Sequence, residues 1–279
     1  MSGAVAIGPR QRVRAAAWVG LGGLAVLFCS SLVLGVLAPS VLADHCPFGR
    51  DTLRPDQTVC ELAFGGLWVS LTVGLAAGAL ATGLGLLLAA TARALGGAIE
   101  GGLMRVADSF FSLPDVLVLM VLQLAGQMLG DMDPDLRLSP MGLMIASLAL
   151  VGWAGPTRMF RNRLATLERF EFVAAARALG GGGWHILRRH LWPSLRGFAL
   201  AVFLSRVPSA ILAESTVSFF GIARMEPMSL GRYLGTSYTS LIYEGGARVV
   251  LPAWGLLVLV VLAASLTSRA LLDERRRGR

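Results

Sequence analysis

The chain has 279 residues, of which 55% are hydrophobic and 15% charged, and its mean hydropathy of +0.67 lies outside the range of ordinary soluble domains. The formal net charge is +8, and all 25 basic residues are arginine. Because these arginines flank apolar runs and show no aromatic-interleaved basic surface, the composition argues against a nucleic-acid-binding protein. The sequence therefore predicts an all-α membrane protein.

The first apolar run covers residues 15–37 and follows Arg10, Arg12 and Arg14. At about 1.5 Å per residue, such a run crosses about 30 Å of hydrocarbon. It is longer than the apolar core of a secretory signal peptide. We therefore expect a retained transmembrane helix, with a cleaved signal peptide as the alternative.

Two of the three cysteines lie in the polar loop that follows the first run, at Cys46 and Cys60. They would form a disulfide if the loop faces an oxidising compartment. The simpler interpretation, which we prefer at this point, is two unpaired thiols. His45 beside Cys46 is too small a cluster for a metal site.

Further apolar runs complete the set of predicted spans. Asp108 and Asp115 would each cost about 2.5–3.5 kcal/mol at the centre of a transmembrane helix. Asp108 is therefore expected in an interfacial helix, and the third span is expected to begin near Pro114. The six predicted spans, in a single domain covering residues 1–279, are residues 15–37, 64–92, 114–129, 139–157, 195–220 and 249–272.

The stretch 168–193 is the longest polar interruption between apolar segments. A helix with a small face is predicted from Ala174, Ala175, Ala176 and Leu179. The run Gly180–Gly183 must end that helix, because each glycine costs a helix interior about 0.5–1 kcal/mol relative to alanine.

A second short amphipathic helix is predicted after the glycines, from the spacing of Trp184, Leu187, Leu191 and Trp192. Pro193 is expected to begin the next element, where proline sacrifices no hydrogen bond. The stretch is thus predicted to be a bent helix pair, basic outside and apolar on one side, with a shape suited to docking.

This stretch resembles the EAA loop of binding-protein-dependent ABC transporter permeases. That pattern is E-A-A, three residues, Gly, nine residues and I-x-L-P, and it is matched here by Ala174-Ala175-Ala176, Gly180, His190 and Trp192-Pro193. Ala174 replaces the usual glutamate, His190 the isoleucine and Trp192 the leucine. The phrases EFVAAARALG and RRHLWP are most similar to the dipeptide, oligopeptide and nickel branch.

Three further segments are similar to the same family. They are HCPFGRDTLRPD after the first span, LMRVADSFFSLPD before the third, and ILAESTVSFFGI in the fifth. The resemblance implies a type I ABC importer permease, the C-type subunit of a peptide system. It implies a second homologous permease, two ATPase subunits that bind ATP and Mg²⁺, and an extracytoplasmic solute-binding protein.

The resemblance assigns ATPase coupling to residues of the docking stretch, namely Glu171, Ala174, Ala175, Ala176, Arg177, Gly180, His190 and Pro193. The stretch would sit in a groove of the ATPase subunit. Its arginines are equally explained as anchors at the cytoplasmic membrane surface.

Catalytic and metal-binding motifs are not visible in the sequence. A phosphate-binding loop requires lysine, and the chain contains none. We therefore expect a non-enzymatic subunit that binds no cofactor of its own. Peptide is the expected cargo and nickel the alternative within the family. An ATP-independent channel or secondary carrier is the alternative from another class, and it would leave the docking stretch unexplained.

Arginine distribution predicts the orientation. The amino terminus, the 93–105 connector, the 158–196 region and the 269–279 tail hold most of the 25 arginines, and the intervening loops hold few. The positive-inside rule then places both termini and the docking stretch in the cytoplasm. The resemblance implies that the membrane crossed is a bacterial inner membrane.

Arg206 and Glu214 are charged residues within the fifth predicted span, where a charge is costly unless it faces protein or water. They either line the solute path or its gate, or pair with a partner subunit. The segment 222–248 either contacts the solute-binding protein or is an ordinary connecting loop.

Overall fold

The computed structural model describes residues 22–37, 39–51, 54–242 and 246–277. These residues form twelve α-helices, two short 3₁₀ helices at Pro134–Leu136 and Tyr238–Ile242, and no strand beyond one isolated antiparallel bridge between Arg50 and Thr58. In chain order the helices are α1 Gly22–Leu37, α2 Pro39–His45, α3 Val59–Leu95, α4 Gly97–Ser112, α5 Asp115–Met132, α6 Pro140–Gly152, α7 Ala154–Leu167, α8 Glu171–Ala178, α9 Gly183–Ile186, α10 Trp192–Phe219, α11 Leu230–Ser237 and α12 Ala247–Arg277.

Four of these helices, α3, α5, α10 and the apolar part of α12, are long and apolar enough to cross a membrane. Six spans result if the bent pairs α1–α2 and α6–α7 each count as one, which agrees with the predicted all-α polytopic fold. The first predicted span, 15–37, is described only from Gly22, and its earlier residues lie outside the described part of the chain.

The helix bounds correct the predicted spans. The helix α3 extends beyond 64–92 at both ends, and α10 and α12 begin before residues 195 and 249. The helix predicted at 139–157 instead bends by 44° between Gly152 and Ala154 and continues as α7 to Leu167. Pro156 lacks the N–H that would donate to the carbonyl of Gly152, which interrupts the helical hydrogen bonds at this bend.

The described residues form two compact units. The first contains the described residues up to Leu71 and those from Pro227 onward, and the second is Thr72–Glu226. Whether the chain acts as the single permease domain expected from its sequence stays a prediction.

Within the second unit, α10 packs against α5, α6 and α7, and α4 packs against α7. The helix α4 ends at Ser112 and α5 begins at Asp115, so Asp108 lies on a helix separate from the span, as predicted. Small residues allow close packing of the spans: a Cβ on Gly85 would lie 2.8 Å from the backbone nitrogen of Thr157.

Within the first unit, α11 packs against α12. The backbone N–H of Leu230 donates to Ser70 Oγ at 3.2 Å. The buried Tyr233 hydroxyl donates to Asp51 Oδ2 at 2.9 Å, and this bond ties α11 to the segment before α3. Burial, reinforced by the hydrogen bond to Asp51, raises the pKa of Tyr233 above its ordinary value, so the phenol stays a donor.

Candidate functional site

The docking stretch of residues 168–193 is a bent helix pair, as the sequence predicts. The helix α8 ends at Ala178, and Gly180 adopts a left-handed backbone with φ of 81°. The N–H of Gly181 donates to the carbonyl of Ala176 at 2.9 Å, which closes a Schellman-type C-cap. Glycine at 180 therefore fixes the reversal between α8 and α9, because other residues pay steric energy for this conformation.

The second half of the pair continues directly into a span. The helix α9 is followed by a π-helical segment, Leu187–Leu191, and then by α10, without a loop between them. Pro193 occupies the first turn of α10, where its missing N–H is tolerated. As predicted, a new element begins at this proline, since α10 starts at Trp192, and the π-helical segment leads into it directly. A force applied to α9 would therefore act directly on α10.

One face of the docking stretch is anchored in a hydrophobic cluster of the second unit. Val173 of α8, Ile186 of α9 and Leu191 are all nearly fully buried. They pack with Phe160, Leu164, Leu167 and Leu195 of the neighbouring helices α7 and α10. The anchor thus attaches both halves of the stretch to the ends of two membrane helices.

The opposite face of α8 is exposed and largely apolar. Ala174 and Ala175 are exposed, as are Phe170 and Phe172, whose rings stack with centroids 5.8 Å apart. Leu179, just beyond the helix, is 88% exposed. An apolar exposed face beside a bend has the character of a surface that a partner covers.

The predicted coupling residues divide between these two faces. Glu171, Ala174, Ala175, Gly180 and Pro193 are exposed, whereas Ala176 is half-buried against the cluster. The side chains of Arg177 and His190, and those of Trp184 and Leu187, lie outside the described side chains. Trp192 was assigned to the apolar face of the second helix but is 46% exposed.

Sequence reasoning missed the anchor residues Val173 and Ile186. The available signal for Val173 was a large apolar residue beside a run of alanines, and for Ile186 a large apolar residue next to Leu187 of the predicted second helix. Val173 and Ala176 are three residues apart and so share one face of α8.

An ion-pair network supports the start of the docking stretch. Arg93, near the end of α3, binds Glu168 through Nη2 at 2.9 Å and Nε at 3.1 Å, and Glu100 of α4 through Nη1 at 2.8 Å. Arg161 of α7 donates from Nε to Glu100 Oε1 at 2.6 Å. The hydrogen bond from Arg161, followed by that from Arg93, holds the pKa of Glu100 below its ordinary value.

Arg206 and Glu214 occupy different environments in α10. Glu214 is fully buried and accepts hydrogen bonds from Ser218 Oγ at 2.7 Å and Ser215 Oγ at 3.3 Å. Arg206 lines a cavity among α3, α5, α6 and α10. The burial and hydrogen bonds of Glu214 favour a structural role for this carboxylate, whereas Arg206 keeps access to open space.

Cys46 and Cys60 form a disulfide with Cα atoms 5.8 Å apart. The preference for two unpaired thiols was therefore wrong. The segment between them folds back on itself, with the N–H of Asp51 donating to Gln57 and that of Val59 donating to Gly49. These backbone hydrogen bonds bring the two cysteines together, a contact that sequence spacing alone could not establish.

Metal-binding clusters of three or more His, Cys, Asp or Glu residues do not occur among the described residues. Cys29 is a free, exposed cysteine.

Comparison with known proteins gives concordant matches. The family model described as binding-protein-dependent transport system inner membrane component matches residues 81–278. The dipeptide transport system permease protein DppC of Bacillus subtilis is 32% identical over 193 residues, covering 69% of this chain and 55% of that protein.

Two further relatives are also permease proteins of peptide transport systems. The oligopeptide transport system permease protein OppC of Haemophilus influenzae is 28% identical over 218 residues, covering 78% of this chain and 63% of that protein. The dipeptide transport system permease protein DppC of Lactococcus lactis is 26% identical over 218 residues, covering 77% of this chain and 59% of that protein. The aligned part of the chain thus spans between 55% and 63% of the length of these relatives.

Proposed function

Because the chain belongs to the family of binding-protein-dependent transport system inner membrane components, we propose that it is the transmembrane permease subunit of an ATP-driven peptide importer. The observation that carries this proposal is the docking stretch: an exposed apolar face on α8, joined through α9 to a membrane helix. An ATP-independent channel or carrier would have no use for such a surface.

Peptides are the proposed cargo because the relatives are named for dipeptide and oligopeptide transport. Nickel is not favoured by these relatives. The proposal assigns the choice among peptides mainly to a separate solute-binding protein that delivers them.

The proposed coupling mechanism begins at the exposed face of α8. An ATPase subunit would cover Phe172, Ala174 and Ala175 and move when ATP binds. Val173 and Ile186, buried in the cluster, would carry that displacement to α7 and α10. The packed cluster resists compression, so it would favour one of two bundle arrangements rather than a gradual deformation.

The partners in this proposal are a second homologous permease, two ATPase subunits and the solute-binding protein. ATP and Mg²⁺ would be bound by the ATPase subunits, and this chain would bind no cofactor and catalyse no reaction. The buried residues Val173, Ile186 and Leu191 would connect the docking stretch mechanically to the membrane helices. The energy for transport would then come from ATP hydrolysis in the partner subunits.

The proposed orientation places the docking stretch in the cytoplasm and the Cys46–Cys60 segment outside. Arginine distribution supports this assignment, and the disulfide supports it independently, because disulfides persist mainly in oxidising compartments. The segment from Cys46 to Cys60 and α11 would then be available to the solute-binding protein.

Copurification from native membranes tests the proposed function. The tagged chain should bring with it a second permease and two ATPase subunits, and peptide-loaded binding protein should stimulate ATP hydrolysis by the purified complex. Peptide uptake by liposomes that contain this chain alone, without ATP, would contradict the proposal.

A further inference from the structure

The cavity beside Arg206 lies entirely within the second unit. It is small, with a volume of about 40 Å³, and its walls come from α3, α5, α6 and α10. Most of the lining is apolar or small, including Ala77, Leu119 and Ala210. The polar side chains on its walls are Arg206, Asp115 and Ser209.

The guanidinium of Arg206 has free space beside it, and not all of its N–H groups have hydrogen-bond partners. Its Nε is buried and has no hydrogen-bond partner among the described residues. Glycines make the space: a Cβ on Gly152 would lie 3.3 Å from Nη2, and one on Gly155 would lie 3.7 Å from Nη1. Asp115 lines the same cavity and attracts Arg206 electrostatically, but no ion pair within 4.0 Å joins the two in the part of the chain that the structure describes.

A guanidinium in such a place favours an anionic ligand. Arginine offers a planar set of donors that matches a carboxylate, and the interaction is strengthened where water is scarce. The cavity is too small for a whole oligopeptide and has room only for a small group such as a carboxylate. A carrier of many peptides must recognise something that all of them share, and a free terminal carboxylate is such a group.

We propose that Arg206 binds the carboxyl-terminal carboxylate of the peptide as it passes through this subunit. The inference rests on the proposed function and deepens it by naming the group recognised in the membrane. A carboxylate of the second permease subunit is the competing partner for Arg206, and the experiment separates the two.

The experiment measures uptake of trialanine and of trialanine amide by the complete complex in liposomes, with the same binding protein throughout. Arg206→Gln removes the donor fork, and Arg206→Lys keeps the charge without it. Arg163→Gln is the matched control, because Arg163 also has a buried Nε without a hydrogen-bond partner among the described residues but lies over the Phe198 ring, outside this cavity. For each peptide, the uptake rate of a variant is divided by that of the wild type. Any preference of the binding protein between the two peptides cancels in this ratio, because the same binding protein is used throughout.

We expect Arg206→Gln to lower trialanine uptake about tenfold and trialanine amide uptake by less than about twofold, with Arg206→Lys between wild type and Arg206→Gln. Arg163→Gln should change both peptides by the same factor. An equal loss of both peptides in Arg206→Gln, with normal complex yield or with weakened assembly, would overturn the carboxylate assignment.

The outcomes also separate this inference from the proposed function. A wild-type complex that takes up neither peptide despite ATP and loaded binding protein would contradict peptide import itself. A wild-type complex that imports trialanine, while Arg206→Gln leaves its uptake unchanged, would contradict only the assignment of Arg206.

Discussion

Arg93 and Glu168 are 75 residues apart in sequence, yet the Nε and Nη2 atoms of Arg93 both donate to the same carboxylate oxygen of Glu168, at 3.1 and 2.9 Å. This pair attaches the end of α3 to the segment from which α8 begins. We therefore expect it to hold the docking stretch in place when a partner pushes on it.

Glu168→Ala tests this connection. Removing the acceptor leaves Arg93 with Glu100 alone and should reduce peptide uptake per ATP hydrolysed, with a stability loss of about 1–3 kcal/mol. Asp135→Ala is the control, because Asp135 is also an exposed acid but lies outside the docking stretch. Thermal unfolding and the transport-to-hydrolysis ratio of the complex are the measurements. Equal effects of the two substitutions would show that the Arg93–Glu168 pair has no special role.

Ala175→Glu should disrupt the covered face of α8. Ala175 is exposed and lies opposite Val173 on the helix, so a longer charged side chain would not disturb the anchor but would have to be desolvated beneath a partner. We expect normal insertion, with transport and ATP hydrolysis no longer linked. Ala175→Ser, similar in size, should retain most of the coupling. Full coupling in Ala175→Glu would remove α8 from the docking surface.

Gly180→Val should distort the bend itself. The left-handed backbone at φ of 81° costs a residue with a side chain about 1–2 kcal/mol, and a β-branched one more. Gly180→Asn is the matched control, since asparagine tolerates this conformation. Loss of coupling in the valine variant alone is the expected result. Comparable activity of both variants would show that the conformation at this position is unimportant.

The acid sensitivity of the complex should depend on Glu100. Its folded-state pKa is lowered from the ordinary value of 4.5, so ionised Glu100 stabilises the fold at neutral pH, and this contribution is lost as the pH falls through the folded-state pKa. Between pH 7 and pH 4, Glu100→Gln should therefore lose less thermal stability than wild type. Glu171→Gln is the control and should follow wild type; an unchanged acid response in Glu100→Gln would contradict the prediction.

Cysteine alkylation tests the disulfide. Without reduction, the denatured protein should take up one alkyl group, at Cys29, and after reduction it should take up three. Cys46→Ser should lower stability by about 3 kcal/mol, the value expected for a closed loop of this length, whereas Cys29→Ser should not. Three alkyl groups without reduction would show that Cys46 and Cys60 do not form a disulfide in the protein.

The sequence predicted local features of the docking stretch better than long-range ones. The end of α8 before Gly180 was predictable because a glycine run acts on its own neighbours. The burial of Val173 was not predicted, because it depends on α7 and α10, which lie elsewhere in the chain. The disulfide and the Arg93–Glu168 pair also join residues that only the fold brings together.

The bend at Trp153 and the continuous helical path at Pro193 are also features that the sequence alone did not predict. Both regions contain a proline, and composition alone treats proline as a boundary. In the structure, one proline lies just after a bend of 44° within a continuing helical path, and the other lies in the first turn of α10 directly after the π-helical segment. The position of the proline decides the outcome: Pro156 interrupts the hydrogen bonds of a continuing helix, whereas Pro193 lies where the missing N–H is tolerated.

Site-directed cross-linking at Ala175 tests the central claim most directly. In a Cys29→Ser background, Ala175→Cys should cross-link to an ATPase subunit. Leu136→Cys should not, because Leu136 is exposed between α5 and α6, in a segment that six spans with a cytoplasmic amino terminus would place outside. Membrane-impermeant thiol reagents applied to intact cells should label the second variant and leave the first unlabelled. External labelling of Ala175→Cys, with no cross-link to an ATPase, would contradict the account.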